Sequence, residues 1–233
     1  MVSNTTSRGV DIIMDMVVEN GNKFQVKDPM SALTHFIGFL AVIPVGICLM
    51  EQAETRLQMA AFIVFSISLL LLYGASTIYH TLKLSAEKTA LLRRIDHMMI
   101  FILIAGTYTP VCLVTLAGKF GTILLSLIWV IAVAGVFMKI FWMGAPRWLS
   151  TMIYVIMGWL SITAFLPLMR TVGWGGFGML LGGGIAYTVG AVIYALKKPN
   201  LAFLKSFGFH EIFHVFVMIG SAFHIAFMFV YVL

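Results

Sequence analysis

The chain has 233 residues, 61% of them hydrophobic and only 10% charged, with a mean hydropathy of +1.02. A soluble domain carries about 25% charged residues, so this composition excludes one and marks an integral membrane protein. Fifteen Lys and Arg against nine Asp and Glu leave a net charge of +6, but membrane topology accounts for that excess and nucleic-acid binding is set aside.

Residues 1–30 form a polar leading segment in which VDIIMDMVVEN (10–20) spaces Asp11, Asp15 and Glu19 four apart around Ile12, Ile13, Met16 and Val17. That pattern predicts a short amphipathic helix at the membrane surface or against the bundle. The segment has no uninterrupted apolar core with a small-residue cleavage site, so no cleavable signal peptide is expected. From residue 31 to 233 the chain reads as one all-α domain, a seven-transmembrane helix bundle. Stretches of roughly 20 apolar residues, the length needed to cross a bilayer, fall at about 31–50, 59–80, 95–116, 121–141, 148–168, 175–196 and 208–232. Placing the N-terminus in the cytoplasm puts twelve of the fifteen basic residues inside and leaves Arg56, Lys119 and Arg170 outside. The bias of Lys and Arg toward the cytoplasm thus predicts N-in and C-out. In the sixth stretch Gly178 and Gly182 have the small-xxx-small spacing of closely packed membrane helices. Pro44, Pro110 and Pro167 fall inside spans, where kinks are tolerated. Cys48 and Cys112 are too few for a disulfide framework or a thiolate metal site and leave the redox compartment open.

All six histidines lie in or at the edge of a span, where ionisable groups are functional candidates. With the N-in orientation the second span ends inside at His80, the third begins inside with Asp96, and the seventh begins inside with His210 and His214. The topology thus brings these four residues to one depth just within the cytoplasmic leaflet. His210 and His214, four apart on a helix, share a face. Together with His80 they form a candidate three-histidine zinc site with an open position for water. Hydrogen bonding of isolated histidines between helices is the plainer alternative for any one of them. The string HEIFH is also a literal HExxH, but Gly220 stands where a third protease ligand is expected and Val217 where that motif has glycine, so Glu211 is read as a neighbour of the loop lysines. His224, about 15 Å deeper than His214 at 1.5 Å per residue, is read as a buried histidine bonded across helices.

The motifs SALTHFIGF (31–39), YGASTIYHTLK (73–83), LLRRIDHMMIFILIAGTYTP (91–110) and FHEIFHVFVMIGSAFH (209–224) resemble the hemolysin III family, bacterial relatives of the progestin and adiponectin receptors and, more distantly, of the alkaline ceramidases. The resemblance covers about residues 30–233. It implies a seven-helix bundle with a cytoplasmic N-terminus and a zinc ion near the cytoplasmic face, bound by His80, His210 and His214. Asp96 then holds or activates water, and Ser76 supports the site from one turn before His80. Ser31 and His35 share the Ser-x3-His pattern, and His35 is assigned either a hydrogen-bonded or a supporting place beside the ligands. His97, about 100° around its helix from Asp96, is not expected to be a ligand.

Three histidines, a water and a carboxylate are equipment for hydrolysis. The expected function is a zinc-dependent hydrolase of a membrane lipid, acting on an amide bond by analogy with the ceramidase branch, in the bacterial cytoplasmic membrane. A non-enzymatic sensor with structural zinc is the alternative. A cytolysin, an ion or proton carrier and an intramembrane protease are weaker readings, and the sequence leaves the oligomeric state open.

Overall fold

In the computed structural model, residues 25–142, 144, 146–199 and 208–233 are described; the amphipathic stretch expected at 10–20 lies outside them. Helix α1 spans Pro29–Glu51, α2 Arg56–Thr81 and α3 Ala86–Pro110, which runs on through a π turn at Val111–Thr115. Then come α4 (Lys119–Phe141), α5 (Arg147–Trp159, continued by a 3-10 turn at Leu160–Ala164), α6 (Phe165–Leu196) and α7 (Phe209–Phe227, ending in a π turn at Met228–Val232). No strand occurs among the described residues.

Local chemistry sets the helix ends. Pro29 occupies the first turn of α1, where its missing N–H costs nothing. Thr55 and Gln58 cap α2 reciprocally: Thr55 Oγ1 accepts from Gln58 N at 3.1 Å, and Gln58 Oε1 accepts from Thr55 N at 3.0 Å. The spare amide of Gln58 donates to Val232 O at 2.9 Å, tying the start of α2 to the last turn of α7. The π turn follows Pro110, which has no N–H to donate.

Six helical stretches are long and apolar enough to cross a membrane. The fifth, Trp148–Leu196, holds 49 residues, about 74 Å if it were one helix and more than twice the ~30 Å hydrocarbon core. The backbone leaves helical geometry at Gly173 (φ 61, ψ −166). Trp159 Nε1 donates to Thr188 Oγ1 at 2.9 Å, although a straight helix would hold these residues some 44 Å apart. The stretch is therefore a hairpin turned at Gly173.

Helices α2 and α3 are the most enclosed, with 50% and 61% of their apolar windows buried against 17–33% in the others. Phe62, Phe65 and Leu69 on α2, Phe101 and Ala105 on α3, and Ile128 on α4 form the centre of the core. Gly106 lets α3 press on α2, since a Cβ there would lie 2.2 Å from Ser68 Oγ. The outer faces carry exposed Val130, Phe141, Leu166 and Trp174. Apolar surface on that scale needs a lipid surround. The close approach expected from Gly178 and Gly182 is shifted in register. A Cβ on Gly178 would meet nothing within 4 Å, while Gly182 faces the ring of Phe223 and Gly183 that of His224.

Candidate metal centre

Three histidines meet where α2 ends and α7 begins. One ligand atom from each of His80, His210 and His214 falls within 4.8 Å of the others, and the ring centroids are 4.6–5.0 Å apart. His80 and His214 are only 2% exposed, so this is an interior cluster. The i, i+4 spacing on α7 puts His210 and His214 on one face, and His80 in the last turn of α2 closes the triangle.

Their partners set the ring tautomers. His80 Nδ1 lies 2.9 Å from Asp28 Oδ2, and the carboxylate can only accept, so the proton is on Nδ1 and the Nε2 lone pair is free. His214 Nδ1 lies 3.2 Å from Ser31 O, which frees its Nε2 in the same way. His80 Nε2 and His210 Nε2 are 3.1 Å apart, close to the ~3.3 Å between two nitrogens held at 2.0–2.1 Å on a tetrahedral ion. Three converging imidazoles, those of His80 and His214 each with a freed nitrogen and that of His80 backed by a carboxylate, fit a borderline divalent metal. The cluster could thus hold a metal ion.

Asp28 is the residue that sequence reasoning missed. It occupies the N-cap position of α1 yet caps nothing with its side chain, which reaches 52 positions along the chain to His80. Its backbone is fixed to the same place, with Asp28 N donating to His80 O at 2.8 Å and Lys27 N to Thr81 O at 3.2 Å. Lys27 Nζ sits 3.3 Å over the Tyr79 ring and 3.5 Å from Asp28 Oδ2. Burial pulls its pKa down, against the upward pull of Asp28. The only sequence signal was an aspartate directly before a helix-starting proline, which reads equally well as a cap.

Asp96 on α3 and Ser76 on α2 border the same interior cavity as His210 and His214. The cavity, about 350 Å³, is walled by all seven helices. Its polar end holds Arg93, Asp96, His97, Lys139 and His210, and its far end is apolar, with Leu116, Leu124, Leu168 and Leu180. Lys139 Nζ donates to Ser150 Oγ at 2.5 Å in this wall. His97 is not one of the three clustered histidines; its Nε2 lies 3.2 Å from Tyr194 OH.

Two expectations need correction, those on His35 and His224. Glu211 accepts from its own helix start at Gly208 N (2.8 Å) and from Ser31 Oγ (2.5 Å), while Lys205, one of the loop lysines expected beside it, lies outside the described residues. A carboxylate three residues into a helix is drawn to the unpaired N–H groups and the positive end of the dipole. His35 is not hydrogen-bonded; it stacks on His214 with centroids 3.7 Å apart and planes at 8°, and neither ring nitrogen has a partner among the described residues. Among the described residues His224 makes no bond across helices through Nδ1, which is buried and unpartnered there; its ring stacks on Tyr187 instead.

A multi-pass helical membrane protein with a buried three-histidine cluster at one end of its bundle is the class that this fold and site define. Residues 24–225 match the model of the family described as haemolysin-III related. The chain belongs to that family. It is 40% identical over 203 residues to Hemolysin-3 of Bacillus cereus, covering 86% of this chain and 89% of that protein. It is equally 40% identical over 203 residues to the Hemolysin-3 homolog of Bacillus subtilis (strain 168), covering 85% and 92%. It also resembles the adiponectin receptor protein of Drosophila melanogaster, 25% identical over 210 residues that cover 82% of this chain and 47% of the receptor. Such relatives and the apolar helices place it in the cell membrane.

Proposed function

We propose that the protein is a zinc-dependent hydrolase of a membrane lipid, cleaving an amide bond beneath the cytoplasmic surface. The observation that carries this reading is the convergence of three imidazoles, within 4.8 Å of one another, beside a cavity that also exposes Asp96 and runs on into an apolar interior. His80, His210 and His214 would hold the ion, and the Asp28 carboxylate would keep His80 in its binding tautomer. Zinc, when bound, supplies Lewis acidity at the substrate carbonyl and an acidified water. Asp96 would take a proton from the attacking water and return it to the leaving amine, so that water adds across the C–N bond and the products are a fatty acid and an amine. Ser76, one turn from His80 on the cavity wall, would position that water.

In this reading each arm of the Gly173 hairpin crosses the bilayer, giving seven crossings. The basic residues set the N-terminus in the cytoplasm.

Elemental analysis of purified protein tests the metal, with about one zinc per chain expected in the wild type and little in His80→Ala or His214→Ala. Release of fatty acid from amide lipids, abolished in Asp96→Asn, tests the chemistry. Equal zinc in all three samples would discard the site. Zinc-loaded protein inert toward a broad panel of amide lipids would leave only a structural ion tying α2 to α7.

A further inference from the structure

The apolar part of the cavity is interrupted at one level by polar groups that the hydrolytic reading does not use. His224 lies ten residues beyond His214 on α7, about 15 Å further along the helix axis. Its ring borders the cavity together with that of Tyr187, on which it stacks at 5.6 Å and 15°. The other polar groups near this level satisfy one another. Ser221 Oγ, one turn before His224, accepts from Tyr73 OH at 2.8 Å and lies 2.9 Å from Tyr187 OH. His224 is left out of that network, 9% exposed, with Nδ1 buried and without a partner among the described residues. Gly183 makes room for the ring, since a Cβ there would stand 2.7 Å from Nε2. Leucine or phenylalanine would fill such a place at no polar cost, whereas a buried imidazole nitrogen left without a hydrogen bond is destabilising. A cavity of this volume, mostly apolar with a few placed polar groups, is built to take a ligand.

We infer that His224 is a specificity-determining contact for a hydroxyl or keto oxygen carried far along the acyl chain of the bound lipid, about 15 Å from the end that meets the histidine cluster. The apolar walls hold the methylenes on either side. A plain saturated chain fits the same space and leaves the imidazole unpaired, so the site ranks an oxygenated chain above an unsubstituted one. The inference rests on the lipid reading of the cavity but not on turnover.

The test is equilibrium competition against a fluorescent fatty acid, using the full-length zinc-supplemented protein in lipid nanodiscs. Three competitors are compared: octadecanoic acid, its analogue hydroxylated at the second carbon, and its analogue hydroxylated at the twelfth. The last is expected to bind about tenfold more tightly than the other two, the worth of one good buried hydrogen bond. His224→Phe should bring the three within about twofold, and His224→Gln, which can still donate and accept, should keep most of the preference. A wild type that does not distinguish the acids, or that binds none, overturns the inference; so does a preference that survives in His224→Phe. Should His224→Phe not fold, His224→Leu and His224→Gln give the same contrast. Binding with this preference in a protein that hydrolyses nothing would sink the hydrolase reading alone. Amide hydrolysis with no preference would sink only this one.

Discussion

Replacing Asp28 isolates the contribution of a residue outside the ligand set. Its Oδ2 lies 2.9 Å from His80 Nδ1, a charge-assisted hydrogen bond to a ring whose side chain is 3% exposed, while its own side chain is 43% exposed. Partners of this kind are worth 10–100-fold in metal affinity, about 1.4–2.7 kcal/mol. Water reaching the carboxylate screens part of its charge, which points to the lower half of that range. Asp28→Asn keeps an oxygen that can accept from Nδ1–H and loses only the charge, so zinc affinity should fall about fivefold to tenfold. Asp28→Ala loses both and should cost about 30-fold. In either variant the backbone bond from residue 28 N to His80 O, 2.8 Å long, can persist, so the metal-free proteins should unfold near the wild-type temperature. Competition with a chelating fluorophore gives the affinities, and the cobalt-substituted visible spectrum reports ligand geometry. An Asp28→Ala protein that binds zinc within twofold of wild type would refute the orienting role.

Other outcomes follow from the same geometry. His97→Ala, which removes a ring bonded to Tyr194 and outside the cluster, should keep its full zinc content by elemental analysis. Stripping the metal with a chelator should lower the thermal midpoint, and zinc at about 100 times its dissociation constant should restore about 2.7 kcal/mol; an unchanged midpoint would mean that no ion links α2 to α7. Gly106→Ala places a methyl 2.2 Å from Ser68 Oγ and should cost about 1–3 kcal/mol through overpacking. Gly178→Ala, with open space at its Cβ, should be neutral, and scanning fluorimetry separates the pair.

Hydropathy located the helices well because a membrane span must be apolar over a fixed length, and the ends of α1, α2, α4 and α7 fall within about three residues of expectation. It failed at α3, expected from residue 95 but beginning at Ala86. The first turns of that helix carry Glu87, Lys88, Arg93 and Arg94 and project beyond the apolar stretch, where hydropathy is blind to helical structure. The three histidines were legible because topology put them at one depth and the i, i+4 spacing put His210 and His214 on one face. Asp28 and the bond from Ser31 to Glu211 were missed because they rest on contacts spanning 52 and 180 positions. No periodicity encodes such contacts. His35 and His224 show a different limit: burial was foreseeable, but whether a ring is bonded or stacked depends on neighbours from other helices.

Two backbone bonds fasten residues 27 and 28 to the last turn of α2, so the chain entering the bundle is anchored on the same few atoms that orient His80. Force or bulk applied at residues 27 and 28 therefore acts on the ring of the proposed ligand His80. An amino-terminal fusion partner is the modification most prone to disturb ion uptake, and immobilisation for binding work is better made through the opposite terminus.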